Sequence, residues 1–429
     1  MKRRNPYPIL LVLALLAACW WVYRREKPQP PAPPAAVGET VAPPPALSVL
    51  GEAPDWSKLE IYQETIGPGE FERLLDTVFS SAGGWRPWVE IGETEARIRT
   101  GRAEDDEWFH LRFATTDATA PRTWRSASEL GPAPPGRPME GMKVAIDPGH
   151  IGGRWAKMEE RWFVHDGGTP VREGDMTLAV AKLLKPKLEA LGAEVSLVRD
   201  KTEPITELRP DSLMDVAGSP DTAATGDPRK LAERLFYRTA EIRARAKRVN
   251  EQLQPDLVLC LHFNADPWGD PNKPTLVDRH HLHLLLNGSY TPEEVALTDQ
   301  RFAMLEKLLS RTHAEEAAVG ATVAEVFAQA SGLPPFLYPS GAPNALMVAG
   351  NPYLWARNLL ANRLYEAPVI FMEPYVMNSK PDHARIQAGD YAGLREIDGK
   401  LVPSIFREYA DALADGLATH YRRARGAGG

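Results

Sequence analysis

Downstream of Met142, short apolar runs alternate with longer stretches whose apolar residues recur every three or four positions, the pattern of strands feeding helices. Lys143-Val144-Ala145-Ile146 reads as a short buried strand. Met176, Val180, Leu184, Leu188 and Leu191 put one apolar face on a helix that Gly192 ends and Pro186 should kink. Ala193 to Val198 reads as a second strand. Leu231, Leu235, Ile242, Ala246, Val249 and Leu253 mark another amphipathic helix, whose Arg and Lys residues are most simply a solvated face. Asp256 to His262 and Ala367 to Glu373 supply two more apolar strands. The alternation predicts an α/β fold over residues 142–424, with a mostly parallel central sheet flanked by helices.

Residues 52–136 are patterned differently. Phe71, Leu74, Leu75, Val78 and Phe79 form a helical stripe, and three strand-like runs follow, ending with Trp108 to Phe113. A small α+β domain is expected there, closed by the linker Ala133 to Pro138. Its aromatic residues Trp85, Trp88, Trp108, Phe109 and Trp124 are either its core or a platform for glycan.

At the N-terminus, Lys2, Arg3 and Arg4 precede an apolar run from Tyr7 to Tyr23, so residues 1–25 read as a membrane-targeting segment. Leu16-Ala17-Ala18-Cys19 resembles a lipoprotein processing site, whereas Trp20 to Tyr23 followed by Arg24 and Arg25 suits a single-pass anchor. Both readings tether the chain to a membrane and place the rest outside the cytoplasm, on the periplasmic side. The Pro-rich residues 26–51 are expected to act as a semi-rigid spacer.

Composition narrows the chemistry. Charged residues make up 25% and hydrophobic ones 43%, as in ordinary globular proteins. The net charge of −7 provides no electrostatic footprint for nucleic acid. The two cysteines, Cys19 and Cys260, cannot build a Cys-based zinc site, so any metal must rely on His and carboxylates.

Such residues recur at element ends. The first strand ends in Asp147-Pro148-Gly149-His150, and Glu173 opens the next helix. The third strand delivers His262, and the fourth ends in Glu373. Each has a bland reading alone: a turn His, an N-terminal helix charge, a carboxylate paired with an Arg. Together they bring His, Glu, His and Glu to the carboxyl rim of one sheet, where α/β folds bind ligands.

The series IDPGH at 146–150, REGDMTLAVAKLL at 172–184, RARAKRVN at 243–250, CLHFNA at 260–265 and APVIFMEPYVMN at 367–378 resembles the zinc-dependent N-acetylmuramoyl-L-alanine amidases of the cell-separation type. The resemblance implies that His150, Glu173 and His262 bind Zn2+ and that Glu373 is the catalytic carboxylate. It implies peptidoglycan as substrate, cleaved between N-acetylmuramic acid and L-alanine, with a protein activator as a candidate second partner. Asp147 then either orients His150 or caps the turn, Asn264 is open in the same way, and Arg199 is expected to pair with a carboxylate of site or substrate.

The chain also departs from that pattern. Ile151 to Pro170 is long and carries Glu159, Glu160 and His165, each an alternative ligand to Glu173. Asp278 to His283 starts an expected strand, in which His280, His281 and His283 suggest either a second metal or one strand face near the groove. Thr291 to Glu294 has capping-box spacing, and the helical region running to Ala330 is either an autoinhibitory lid, as the resemblance implies, or packing. Two rival functions stand beside the amidase: a non-catalytic wall-binding or regulatory protein, and a zinc carboxypeptidase acting on wall peptides.

Overall fold

Around the stripe at Phe71, the N-terminal block folds against three antiparallel strands: β1 (Val89–Ile91), β2 (Glu95–Arg99) and β3 (Trp108–Arg112). The computed structural model describes residues 47–102, 107–116, 118–219 and 226–426. The predicted targeting segment and nearly all of the Pro-rich spacer lie outside them. No helix among the described residues is long and apolar enough to cross a membrane.

The block does not close its core alone. Phe71, Leu75, Ile98 and Leu111 pack with Tyr290, Val295, Met304, Leu305 and Leu308, which come from a segment nearly two hundred positions later. Arg301 of that segment is fully buried, stacks on Trp88 at 4.2 Å and donates to the carbonyls of Arg99 and Gly101. Of the five aromatics offered as a glycan platform, Trp85, Trp88, Phe109 and Trp124 are buried, and Trp108 lies between the guanidinium groups of Arg97 and Arg99. The platform reading therefore gives way to core packing.

Further along come β4 (Lys143–Pro148), the short hairpin of β5 (Trp162–Phe163) and β6 (Val171–Arg172), β7 (Glu194–Leu197), β8 (Leu257–Leu261) and β9 (Leu284–Leu286). They are followed by β10 (Leu346–Met347), β11 (Leu354–Ala356) and β12 (Val369–Met372). The main sheet has seven strands in the order β10-β11-β9-β12-β8-β4-β7. β12, β8, β4 and β7 run parallel, and β9 joins β12 antiparallel. The expected strand at Asp278–His283 begins later, at Leu284, because Leu282 makes only an isolated bridge with Pro335.

Alternation along the strands separates two apolar layers. Ile146, Leu259, Leu261, Ile370 and Met372 face helices Glu173–Ala190, Thr312–Ser331 and Ile405–Arg425. Ala145, Val258, Cys260 and Phe371 face Ala246 and Val249 of the helical run after Pro228. Helix Glu173–Ala190 runs on through Pro186. Helix Thr312–Ser331 is part of this first layer, packed on Ile405–Arg425, so the segment once open as a lid is packing.

Register then places the site. Pro148 lies beside Leu261, and Leu261 beside Met372. The residues that follow at the carboxyl ends of β4, β8 and β12 therefore emerge side by side.

Candidate metal and catalytic site

Gly149 and His150 leave β4 in a turn whose geometry each residue type explains. A Cβ on Gly149 would meet the His262 ring at 2.3 Å, so only glycine lets the ring lie there. His150 has φ +58°, the left-handed region that other residues enter at a cost and that clusters at functional sites. Gly149→Ala should push His262 aside and weaken the affinity of this group for a divalent metal ion at least about tenfold, as measured by competition with a chromogenic chelator.

Three side chains meet at the rim. The Glu173 carboxylate places Oε2 at 3.1 Å from His150 Nε2 and Oε1 at 3.1 Å from His262 Nδ1. One ligand atom from each of the three lies within 4.8 Å of the others, a group able to hold a metal ion. Glu173 is the first residue of its helix, and its carboxylate also accepts from the Phe263 N–H at 3.2 Å. The His262 ring stacks on Phe371 at 4.4 Å.

The alternative ligands are engaged elsewhere. Glu159 accepts the N–H groups of Ile151 and Gly152 and lies 3.6 Å from His150 Nδ1, the ring atom turned away from Glu173. Glu160 pairs with Arg234 and Arg238. His165 sits against His383 and Asp166.

Charge in this pocket follows from burial and pairing. Burial opposes a charge on His150, yet Glu173 and Glu159 overcome it and push its pKa up to about 9. Burial would also neutralise Glu173, but the two imidazoles hold it well below the usual carboxylate range. Glu373 shares the cleft, and no cation lies within ion-pair distance of its carboxylate among the described residues. Burial, then the charge of Glu173, pushes its pKa up to about 8.

Two other expectations are corrected. Asp147 does not touch the His150 ring: it pairs with Arg245 at 2.9 Å and accepts from the Tyr365 hydroxyl at 2.6 Å. Arg199 pairs with no carboxylate among the described residues. It is buried and donates to the carbonyls of Pro148, Gly149 and Gly174, and burial lowers its pKa to about 9. Both residues brace the turn. Asn264 lines the cleft and accepts the Ala265 N–H.

His281 and His283 form no metal cluster with other described residues. Both rings pack at a tilt against Phe336, and neither nitrogen of the buried His283 ring has a hydrogen-bond partner among the described residues. Burial lowers their pKa values to about 4 and about 3. The unfolded chain takes up these protons below about 6.5, so the stability they contribute is full above that pH and drains away as pH falls toward 4 and 3. Each should cost about 1.4 kcal/mol per pH unit in that window. Urea melts of His283→Leu should show a flatter acid slope than wild type.

Sequence reasoning missed two residues. Arg245 looked like one more solvated cation of its helix, although it stands in the RARAKRVN motif. It is buried and bonds Asp147, Glu241 and the carbonyls of Pro148 and His150. Arg161 follows the two glutamates of the long loop, and its Nε lies 3.2 Å from Glu173 Oε2. The cleft that these groups share has a volume of about 390 Å³ and is walled by His150, Arg161, Glu173, His262, Glu373 and the segment Phe263–Gly269.

No protein-family model matches the sequence, and no curated protein does. Among solved structures, the chain is similar to apo N-acetylmuramyl-L-alanine amidase Ami1 from Mycobacterium abscessus, at 16% identity and a TM-score of 0.36, over 66% of this chain and 99% of that one. It is similar to N-acetylmuramoyl-L-alanine amidase AmiC2 of Nostoc punctiforme, at 17% identity and a TM-score of 0.34, over 66% and 99% of the two chains. It is also similar to the CwlD amidase from Clostridioides difficile, solved in complex with the GerS lipoprotein, at 11% identity and a TM-score of 0.37, over 65% and 98%. With TM-scores this low, function has to be argued from the site itself.

Proposed function

We propose that this protein is a zinc-dependent peptidoglycan hydrolase that cleaves the amide between N-acetylmuramic acid and the L-alanine of the stem peptide. The observation that carries the reaction class is the convergence of His150, Glu173 and His262 beside the unpaired carboxyl of Glu373. The choice of bond rests on the order of motifs from IDPGH to the Glu373 strand.

The donor set fits zinc. Two imidazole nitrogens and a carboxylate oxygen leave one tetrahedral position open, the mark of a catalytic site. His150 turns Nε2 inward and leaves Nδ1 to Glu159, the outer-shell partner that a metal-bound imidazole needs. Zinc held there would polarise the scissile carbonyl and lower the pKa of a water toward about 7. Glu373 then takes a proton from the attacking water on a carboxylate oxygen and returns it to the departing amine nitrogen. The products are a free lactyl carboxylate and an intact stem peptide.

Residues 1–25 would tether the enzyme on the extracytoplasmic face of the membrane, with 26–51 as spacer and a protein activator as a further partner. Mass spectrometry of purified sacculi digested with the full chain tests the reaction. Intact stem peptides should appear and vanish on chelation. A free C-terminal residue in the products would instead reveal a carboxypeptidase, and sacculus binding without release would reveal a wall-binding protein.

A further inference from the structure

We propose that Arg161 is a catalytic residue that stabilises the oxyanion developing on the scissile carbonyl oxygen; this rests on the amide hydrolysis proposed above. Its position is fixed by the β5–β6 hairpin. Trp162 pairs with Arg172, which makes Arg161 and Glu173 the next facing pair, and the Glu173 N–H donates to the Arg161 carbonyl at 3.3 Å. The Arg161 N–H in turn donates to the Ala156 carbonyl at 2.9 Å. Both sides of the residue are thus anchored by backbone bonds, which gives the guanidinium a rigid base.

From there the side chain reaches the reacting groups. Arg161 Nε lies 3.2 Å from Glu173 Oε2, the oxygen that also faces His150 Nε2 at 3.1 Å. It is the one Arg or Lys among the described residues that line the cleft with Glu373. Its side chain lines the cleft and is 34% exposed, and its Nη1 donates to the Glu160 carbonyl at 3.0 Å. Its charge reaches Glu373, opposing the effect of burial there.

A role limited to neutralising Glu173 does not account for this placement. Once Glu173 serves as a metal ligand, its charge is balanced without Arg161, and the guanidinium has no other ion pair among the described residues, the Glu373 base acting on it only at longer range. A new anion, on the scissile carbonyl oxygen, appears only when the water oxygen bonds to the carbonyl carbon and the carbonyl electron pair moves onto oxygen. The interaction is therefore stronger in the transition state than in the ground state, which is the condition for lowering the barrier. When the pair returns, the C–N bond breaks and the amine leaves with the proton from Glu373. Arg161 forms and breaks no covalent bond.

The test compares Arg161→Gln and Arg161→Lys in the full chain on a soluble N-acetylmuramoyl peptide. Zinc content and inhibition by a phosphinate mimic of the tetrahedral centre are measured in parallel. Arg161→Gln should lower kcat about 10²- to 10³-fold with KM little changed, the usual loss on removing one oxyanion donor. Zinc content should stay stoichiometric, phosphinate affinity should fall with kcat/KM, and Arg161→Lys should recover part of the loss. Loss of zinc in proportion to activity, or a change in KM alone, would overturn the role. An active wild type beside an unaffected Arg161→Gln counts against Arg161 only. A wild type that releases no peptide counts against the amide reading on which the role depends.

Discussion

Glu373→Gln should lower kcat on the order of 10³-fold while zinc stays bound, because the amide keeps the shape of the side chain and cannot carry the proton. Glu373 follows β12, next to its cross-strand neighbour β9, and its N–H donates to the His283 carbonyl at 2.8 Å. That backbone bond survives the substitution, so the site should keep its geometry. Steady-state kinetics on a muramoyl peptide, with zinc determined by atomic absorption on the same sample, separates the two effects. If the variant keeps more than about a tenth of wild-type kcat, another group moves the proton. If zinc is lost with the activity, Glu373 belongs to the metal site and not to the proton path.

Arg245→Ala should cost about 3–5 kcal/mol of stability, the penalty for leaving buried carboxylates without their cation. Arg245 is buried between Asp147 at 2.9 Å and Glu241 at 2.8 Å. Burial works against its charge, yet the two carboxylates hold its pKa above the ordinary value for an arginine. Its other bonds go to the carbonyls of Pro148 and His150, so the turn that carries His150 should loosen along with the fold. Urea denaturation of wild type and variant at one pH measures the loss. A difference below about 1 kcal/mol, typical of an exposed pair, would show that Asp147 and Glu241 find other compensation.

The parts of this molecule readable from sequence are those set by local pattern. β4, β8 and β12 are apolar runs bounded by turn residues, and each hands a polar residue to the same rim, so His150, His262 and Glu373 could be placed before any coordinates. Glu173 was readable because it opens a helix with a clear apolar stripe. What escaped depends on contacts between distant segments. Nothing local distinguishes buried Arg245 from its exposed neighbour Lys247, since the distinction lies in Asp147, almost a hundred positions away. The same holds for the N-terminal block, whose core is completed by Met304 and Leu308 from a segment that the family resemblance offered as a lid. Asp147 pointed toward His150 by proximity in the chain, but a strand's alternation sends its side chain across the sheet to Arg245 and Tyr365.

The central claim is that one zinc ion is held by His150, Glu173 and His262. Anomalous diffraction at the zinc edge, from crystals of the full chain grown with zinc, tests it most directly. One strong peak about 2.0–2.2 Å from a ring nitrogen of His150, a ring nitrogen of His262 and an oxygen of Glu173 is the predicted result. A peak bound elsewhere, or none at these side chains with zinc in excess, would contradict it.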